Sequence, residues 1–391
     1  MGSRTKNPNL PEDIVNSVLL KLPVKYLLRF KSCCKSWCCS IADTEFMRLH
    51  LHKSSTDISR QKFLFFIVVE GKIRHNFSFK VLSTEASISA DSKVVSLDQP
   101  NIPGLYSKVH YLQVCSCSGL VFIYHLGDSM ILWNPAIRKY KMIPKPHLSQ
   151  QQPGLVMHST FGLAYDFLAE DYKILCIHDL SKTYPRYFVE IYSVKNQSWR
   201  TIDNIFPVPT DFPLSLLNDP ISLNGAIYIM AISGKGNGAE FEHSVISFDL
   251  SDEKSIVTPV PSECGKHLKL HAFGDRICLM GTVGKEISIW SLEKDGKTWN
   301  NITKFPVLGT VIAKRLYSGD AIFVKGYRNI GDIMCIKKNG NVLWRKHGDR
   351  FIEYNALKNE YTEFNLKEIP QNSGNNTLYV ESLVSLKIPW D

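Results

Sequence analysis

The chain has 391 residues, 44% hydrophobic and 21% charged, a composition that fits a folded globular protein and excludes a disordered or collagen-like one. Its longest apolar run, Phe63 to Val69, is strand-sized, so no membrane-spanning helix is expected. The formal net charge of +9 is uneven: residues 1–60 carry ten Lys/Arg against five Asp/Glu, and the remaining residues carry 36 against 32. The larger part therefore lacks the basic stripe that tracks phosphates, and nucleic-acid binding is not expected.

The N-terminal residues are polar and basic, without the apolar stretch of a secretory signal. Lys6 stands where a myristoylation site wants Ser or Thr. The expected location is the cytoplasm and/or nucleus, with the ten cysteines as reduced thiols and the sequons at Asn76, Asn196, Asn301 and Asn375 unglycosylated.

In chain order, Leu10-Pro11-Glu12-Asp13 reads as a helix start, with proline pre-set for the first helical position and two carboxylates where the helix dipole favours them. Ile14, Val15, Val18, Leu19 and Leu22 then form one apolar face. Pro23 breaks the run. A second helix restarts with Val24, Leu27, Leu28 and Phe30, and a third places Cys34, Trp37, Cys38 and Ile41 on one side. Thr44 is the expected cap of a fourth, short helix through Glu45, Phe46, Met47 and Leu49. Helices this small cannot bury their own apolar faces and need a partner or a neighbouring domain. Cys33, Cys34, Cys38 and Cys39, with His50 and His52, do not have the spacing of a zinc site, so no metal or other cofactor is expected.

These helices resemble the F-box motif in its plant form. The resemblance rests on Leu10-Pro11, Leu22-Pro23-Val24-Lys25, Leu27-Leu28-Arg29-Phe30-Lys31 and Cys34-Lys35-Ser36-Trp37. One departure is Ser40, where that family usually has leucine before the isoleucine matched by Ile41. The resemblance implies docking on a Skp-type adaptor, which is acidic in that family, and through it a link to the cullin and RING subunits of a ubiquitin ligase. Leu10, Pro11, Ile14, Leu22, Pro23, Val24, Leu27 and Leu28 would supply much of the apolar contact.

Residues 54–60 read as a linker between a helical unit, 1–53, and a β-rich domain, 61–391. From Gln61 on, short apolar runs alternate with Gly, Pro, Asn and Asp. One repeated unit is a turn followed by an apolar strand: Ser118-Gly119-Leu120, Asn224-Gly225-Ala226, Phe273-Gly274-Asp275-Arg276 and Ser318-Gly319-Asp320. A second is an aromatic residue, a polar turn and another aromatic or apolar residue, led by Trp133, Tyr192, Phe248, Trp290 and Tyr354. The leading aromatics are 59, 56, 42 and 64 residues apart. Periods of this size with several strands each predict an all-β propeller of about six blades, closed by Leu378 to Leu386 beside the first blade. A two-sheet sandwich is the alternative.

The β-rich part resembles the F-box-associated, kelch-related domain of plant proteins. The matching residues are Trp133-Asn134-Pro135, Phe161 to Asp166 with Tyr172-Lys173-Ile174, Val189 to Ser193 with Ser198-Trp199-Arg200, and Tyr379 to Leu383. The glycine doublets of true kelch repeats are missing. Self-incompatibility F-box proteins of pollen share the layout.

Little in the chain carries chemistry. Gly234 to Gly238 looks like a phosphate loop but leads into a strand rather than a helix. Asp275, Asp320 and Glu286 could form a glycosidase-like acidic cluster. Trp133, Trp199, Trp290 and Trp299 fit blade core better than sugar platforms. The reading is a non-catalytic substrate receptor that binds an unidentified protein target. The alternatives are a propeller that sequesters a partner without degrading it, and a propeller-fold glycosidase. Target specificity is expected in loops such as Ser181 to Arg186, Thr210 to Asp219 and Gly234 to Glu240.

Overall fold

The computed structural model describes residues 11–386 except 70–75, 84–87, 90, 99–111, 126–128, 152–157, 181–186, 203–214, 217–219, 234–241, 285, 307–331, 337–340, 348, 356 and 370–372. Helix α1 (Glu12–Leu19) begins directly after Pro11, with Glu12 and Asp13 in its first turn. Pro23 likewise precedes α2 (Val24–Phe30). Helix α3 (Lys35–Ala42) is capped by Cys34, whose Sγ accepts the Trp37 N–H at 3.5 Å. Cys34 is therefore exposed at the cap and does not share the buried side of Ile41.

Thr44 is the first residue of α4 (Thr44–Thr56) and not its cap. That role falls to Asp43, whose Oδ1 accepts the Phe46 N–H at 3.0 Å; a carboxylate beside the helix dipole makes the stronger acceptor. The stretch 54–60 holds the end of α4 and a 3-10 turn, Ile58–Arg60, and the first strand starts at Gln61.

Six antiparallel sheets follow. Blade 1 holds β1 (Gln61–Val69), β2 (Asn76–Ser83) and β3 (Val94–Ser96). Blade 2 is β4 (Leu112–Cys117), β5 (Leu120–His125), β6 (Ser129–Asn134) and β7 (Lys139–Ile143). A short helix, α5 (His147–Gln151), leads to blade 3: β8 (His158–Asp166), β9 (Asp171–Asp179), β10 (Tyr187–Ser193) and β11 (Ser198–Ile202). In blade 4 the inner strand is split into β12 (Ser215–Leu216) and β13 (Ile221–Leu223), both paired with β14 (Ala226–Ser233), and β15 (Glu242–Asp249) and β16 (Ser255–Pro259) follow.

Blade 5 is β17 (Lys266–Phe273), β18 (Arg276–Val283), β19 (Glu286–Leu292) and β20 (Trp299–Pro306). Blade 6 is β21 (Asp332–Ile336), β22 (Val342–His347), β23 (Arg350–Asn355) and β24 (Glu360–Asn365). Strand β25 (Ser373–Val380) then pairs with β1, so the first and last strands share a sheet and the ring closes.

Each junction between blades has its own apolar core, because a single twisted sheet cannot cover its two faces. Strand β1 feeds two of them by alternation. Phe63, Phe65 and Ile67 pack toward Leu343 and Phe351 of blade 6, and Leu64 and Phe66 toward Ile123, Ile131 and Trp133 of blade 2. The remaining junctions are sealed in the same way around Phe122 and Phe161, Ile191 and Ile227, Met230 and Leu279, and Met280 and Trp344. Trp133, Trp199 and Trp299 are buried and Trp290 is half-buried, all within blade core.

Antiparallel pairing puts the first-to-second and third-to-fourth strand turns of every blade on one face of the ring. The second-to-third turns and the connections between blades fall on the other. The four helices sit on the first face. Their core, Leu19, Val24, Leu27, Ile41 and Phe46, takes in Leu383, which follows β25, and packs against Ala136 and Ile137 of the β6–β7 turn.

Candidate functional site

The helical unit has two sides. Leu19, Val24, Leu27 and Ile41 are no more than 2% exposed and face inward. On the other side Ile14 is 49% exposed, Val18 53% and Tyr26 47%, beside exposed Pro11 and Pro23. Of the eight residues read from the sequence as contacts, Leu10 lies outside the described residues. Pro11, Ile14 and Pro23 are on the surface, Leu22 and Leu28 are half-buried, and Val24 and Leu27 belong to the unit's own core. Val18 and Tyr26, absent from that set, extend the exposed apolar strip. Helical spacing already places Val18 beside Ile14, four residues on, but the resemblance that supplies the contact set does not include it.

Beneath the helices, residues 381–386 are pinned from blade 2. The Asn134 Nδ2 donates to Ser382 O at 3.1 Å, Ser382 Oγ at 3.2 Å and Val384 O at 2.8 Å, and its Oδ1 accepts the Ala136 N–H at 3.0 Å. Every polar atom of this buried amide is thus used, as burial requires. Gly119 lies against the same segment at φ +82°, and a Cβ there would come within 2.1 Å of Ser382 Oγ. Lys62 of β1 pairs with Glu381 from the other side, just past the end of β25.

Among the described residues the nearest approach to a catalytic array is in blade 3. Ser159 Oγ lies 2.8 Å from His178 Nδ1, and His178 Nε2–H donates to Glu190 Oε2 at 3.0 Å. The row has the order of an acyl-transfer triad. Its carboxylate, however, also accepts the His147 and Leu148 N–H groups of α5 at 2.9 and 3.2 Å. His178 and Glu190 are fully buried and Ser159 is 8% exposed, so the cluster anchors α5 to the blade rather than presenting a nucleophile. Burial works to raise the Glu190 pKa, but hydrogen bonds from His178 and the α5 amides outweigh it and hold the carboxyl below its usual value. Burial, reinforced by Glu190, drives the neighbouring Cys176 thiol well above the usual range and leaves it inert.

Asp275 and Glu286, which could have formed a glycosidase-like cluster with Asp320, do not come together. Asp275 lies in the β17–β18 turn and Glu286 opens β19, at opposite ends of the eight-residue β18. At about 3.3 Å per residue that is roughly 25 Å, against the roughly 5–10 Å that paired carboxylates need. Asp320 lies outside the described residues, as do Ser181 to Arg186, Gly234 to Glu240 and most of Thr210 to Asp219. Among the described residues no three His, Cys, Asp or Glu converge as a metal site would require. Among the described residues no helix is long and apolar enough to cross a membrane.

Fold and surface together define a class: a small helical unit with one uncovered apolar side, fixed to a six-bladed propeller. Residues 8–49 match the F-box domain family and residues 65–386 match the F-box associated beta propeller domain family. The chain belongs to the F-box proteins that carry an F-box-associated propeller. Similar proteins come from Arabidopsis thaliana. An F-box/kelch-repeat protein is 25% identical over 81% of this chain and 84% of its own length. One putative F-box protein is 26% identical over 71% of this chain and 73% of its own, and another is 31% identical over 63% and 60%.

Proposed function

We propose that this protein is the substrate-recognition subunit of a Skp–cullin–F-box ubiquitin ligase, acting in the cytoplasm and/or nucleus. Residues 1–53 would dock a Skp-type adaptor, and through it the cullin and RING subunits. Residues 54–60 would join this unit to the propeller, 61–391, which holds a protein target. The observation that carries the reading is the strip of Pro11, Ile14, Val18, Pro23 and Tyr26, left exposed by a body that already covers the opposite side of the same helices. Large apolar side chains grouped on one surface mark a contact with another chain. In this assignment Leu10, Pro11, Ile14, Leu22, Pro23 and Leu28 meet the adaptor, and Val24 and Leu27 support them from beneath. Docking of this kind buries on the order of 800 Å² on each partner.

The receptor itself makes and breaks no bonds. It raises the effective concentration of target lysines beside the ubiquitin-charged enzyme. The ring face opposite the helices is the target face in this reading, since the helix-side face is partly occupied by the docking unit. Ile14→Asp with Val18→Asp puts two charges on the strip without touching the core. The double variant should lose co-purification with a Skp-type adaptor while its melting temperature stays the same. Capture equal to that of the unaltered chain would overturn the reading.

A further inference from the structure

Helix α1 ends at Leu19, and the turn that follows stops at Pro23, which has no N–H to return to it. Three consecutive carbonyls, those of Leu20, Lys21 and Leu22, therefore need donors from elsewhere. Two residues distant in sequence supply them. Arg60 donates through Nη1 to Leu20 O at 3.3 Å and through Nη2 to Lys21 O at 2.7 Å. His50 donates through Nε2 to Leu22 O at 2.8 Å.

Both donors are themselves held. Arg60 also reaches Ser54 Oγ at 3.1 Å and Asp57 Oδ2 at 3.5 Å, and it directly precedes β1, whose Phe63 and Phe65 are buried between blades. His50 is 1% exposed and stacks on Phe46, which shares a core with Leu383. The α1–α2 turn is thus bonded to the junction where α4 meets the propeller.

We propose that Arg60 and His50 are positioning residues that lock the α1–α2 turn to the first blade, so that the docking helices and the ring move as one body. Arginine suits the task because its planar fork serves adjacent carbonyls at once, which an ammonium group on a flexible stem does not. The functional consequence rests on the adaptor-docking reading: a fixed angle between adaptor and propeller restricts which target lysines reach the transfer centre.

The test uses the full-length chain with donor and acceptor dyes, introduced through non-canonical amino acids at exposed Lys25 on α2 and Lys254 on the propeller, read by single-molecule energy transfer. The unaltered chain and His50→Gln, which keeps a donor of similar reach, should each give one narrow distance. Arg60→Ala and His50→Leu should broaden it or add a second population while far-UV circular dichroism shows the helices intact. A distribution as narrow as that of the unaltered chain in both variants would overturn the proposal. A second arm adds purified Skp-type adaptor. Should the unaltered chain not bind it, the docking reading fails and the distance measurement still decides the lock. With binding, Arg60→Ala should keep its adaptor affinity but move ubiquitin to different lysines of a tethered target; an unchanged lysine pattern would remove the functional consequence.

Discussion

On the face that carries the helices, neighbouring strands of blades 2 to 6 turn back within two to six residues, against ten between β2 and β3 of blade 1, and most of the short turns use left-handed backbone. Ser118 and Gly119, Arg138, Glu170, Gln197, Asn224 and Gly225, Glu253, Gly274, Gly296 and Asn359 all have positive φ there. On the opposite face the connections range from two residues between β18 and β19 to the 25 between β20 and β21. The first face is built to one geometry blade after blade, so the residue types it accepts are few. The second has no common connection length, so ring closure does not impose one geometry on it.

The largest predicted effect tests the constrained face. Gly119→Ala combines left-handed backbone with overlap on Ser382, and thermal or denaturant unfolding should show a loss of about 3–4 kcal/mol. An equal substitution at Gly284, also at positive φ but on the opposite face and with open space around it, should carry only the backbone penalty of about 1–2 kcal/mol. Similar losses at both positions would dissolve the contrast.

A moderate effect separates the faces by pH. On the helix side, burial and then the Leu22 carbonyl act on His50 in opposite senses, with the Arg60 charge siding with burial, and the net result is a pKa below the ordinary 6.5. Because the unfolded chain takes up that proton more readily, the contribution is intact above pH 6.5 and declines as pH falls below it. On the other face Glu190 is lowered from 4.5, so its contribution is intact above that value and is lost only as pH falls through the folded pKa. Amide exchange should loosen first around Leu20 to Leu22 and, at more acid pH, around His147 and Leu148. Glu190→Gln should cost about 1–3 kcal/mol and abolish the second step alone.

The smallest effect is expected at the tip of the β8–β9 turn. Phe167 is 63% and Leu168 82% exposed, while the turn is held from below by Asp166, which accepts the Leu168 and Ala169 N–H groups at 2.9 and 3.0 Å. Phe167→Ser and Leu168→Ser should each shift stability by no more than about 0.5 kcal/mol. A greater loss would mean that the tip packs more closely than its exposure indicates.

This contrast also accounts for what the sequence disclosed. Among the described residues both repeated units belong to the helix-side turns: the glycine unit marks first-to-second turns such as Ser118-Gly119 and Asn224-Gly225, the aromatic unit marks third-to-fourth hairpins such as Tyr192 to Trp199, and Ser318-Gly319-Asp320 lies outside the described residues. Backbone geometry that tolerates few residue types leaves a readable pattern, and from it came the six blades; the closing strand, expected over Leu378 to Leu386, instead spans Ser373–Val380, and residues 381–386 run on beneath the helices. Tertiary partners leave none. Nothing local marks Arg60 as a donor to carbonyls forty residues earlier, or Glu190 as the anchor of α5. Periodicity showed that α1 and α2 are apolar but not which part of that surface the propeller already covers, so Val24 and Leu27 were indistinguishable from Ile14. Spacing along the chain brought Asp275 and Glu286 together, and the strand between them holds them apart.

Residues 373–386 serve two structures at once: β25 completes the sheet around β1, and Leu383 completes the core of the helices. During synthesis both wait for the same late segment, although β1 and α1 leave the ribosome some three hundred residues earlier. Until then β1 has an open edge and the helices an unfilled hollow, the kind of exposed strand and grease that quality-control machinery engages. A translation product truncated before residue 373 would carry the docking strip without a finished scaffold beneath it. The support beneath the helices and the closure of the ring would therefore be completed in one step.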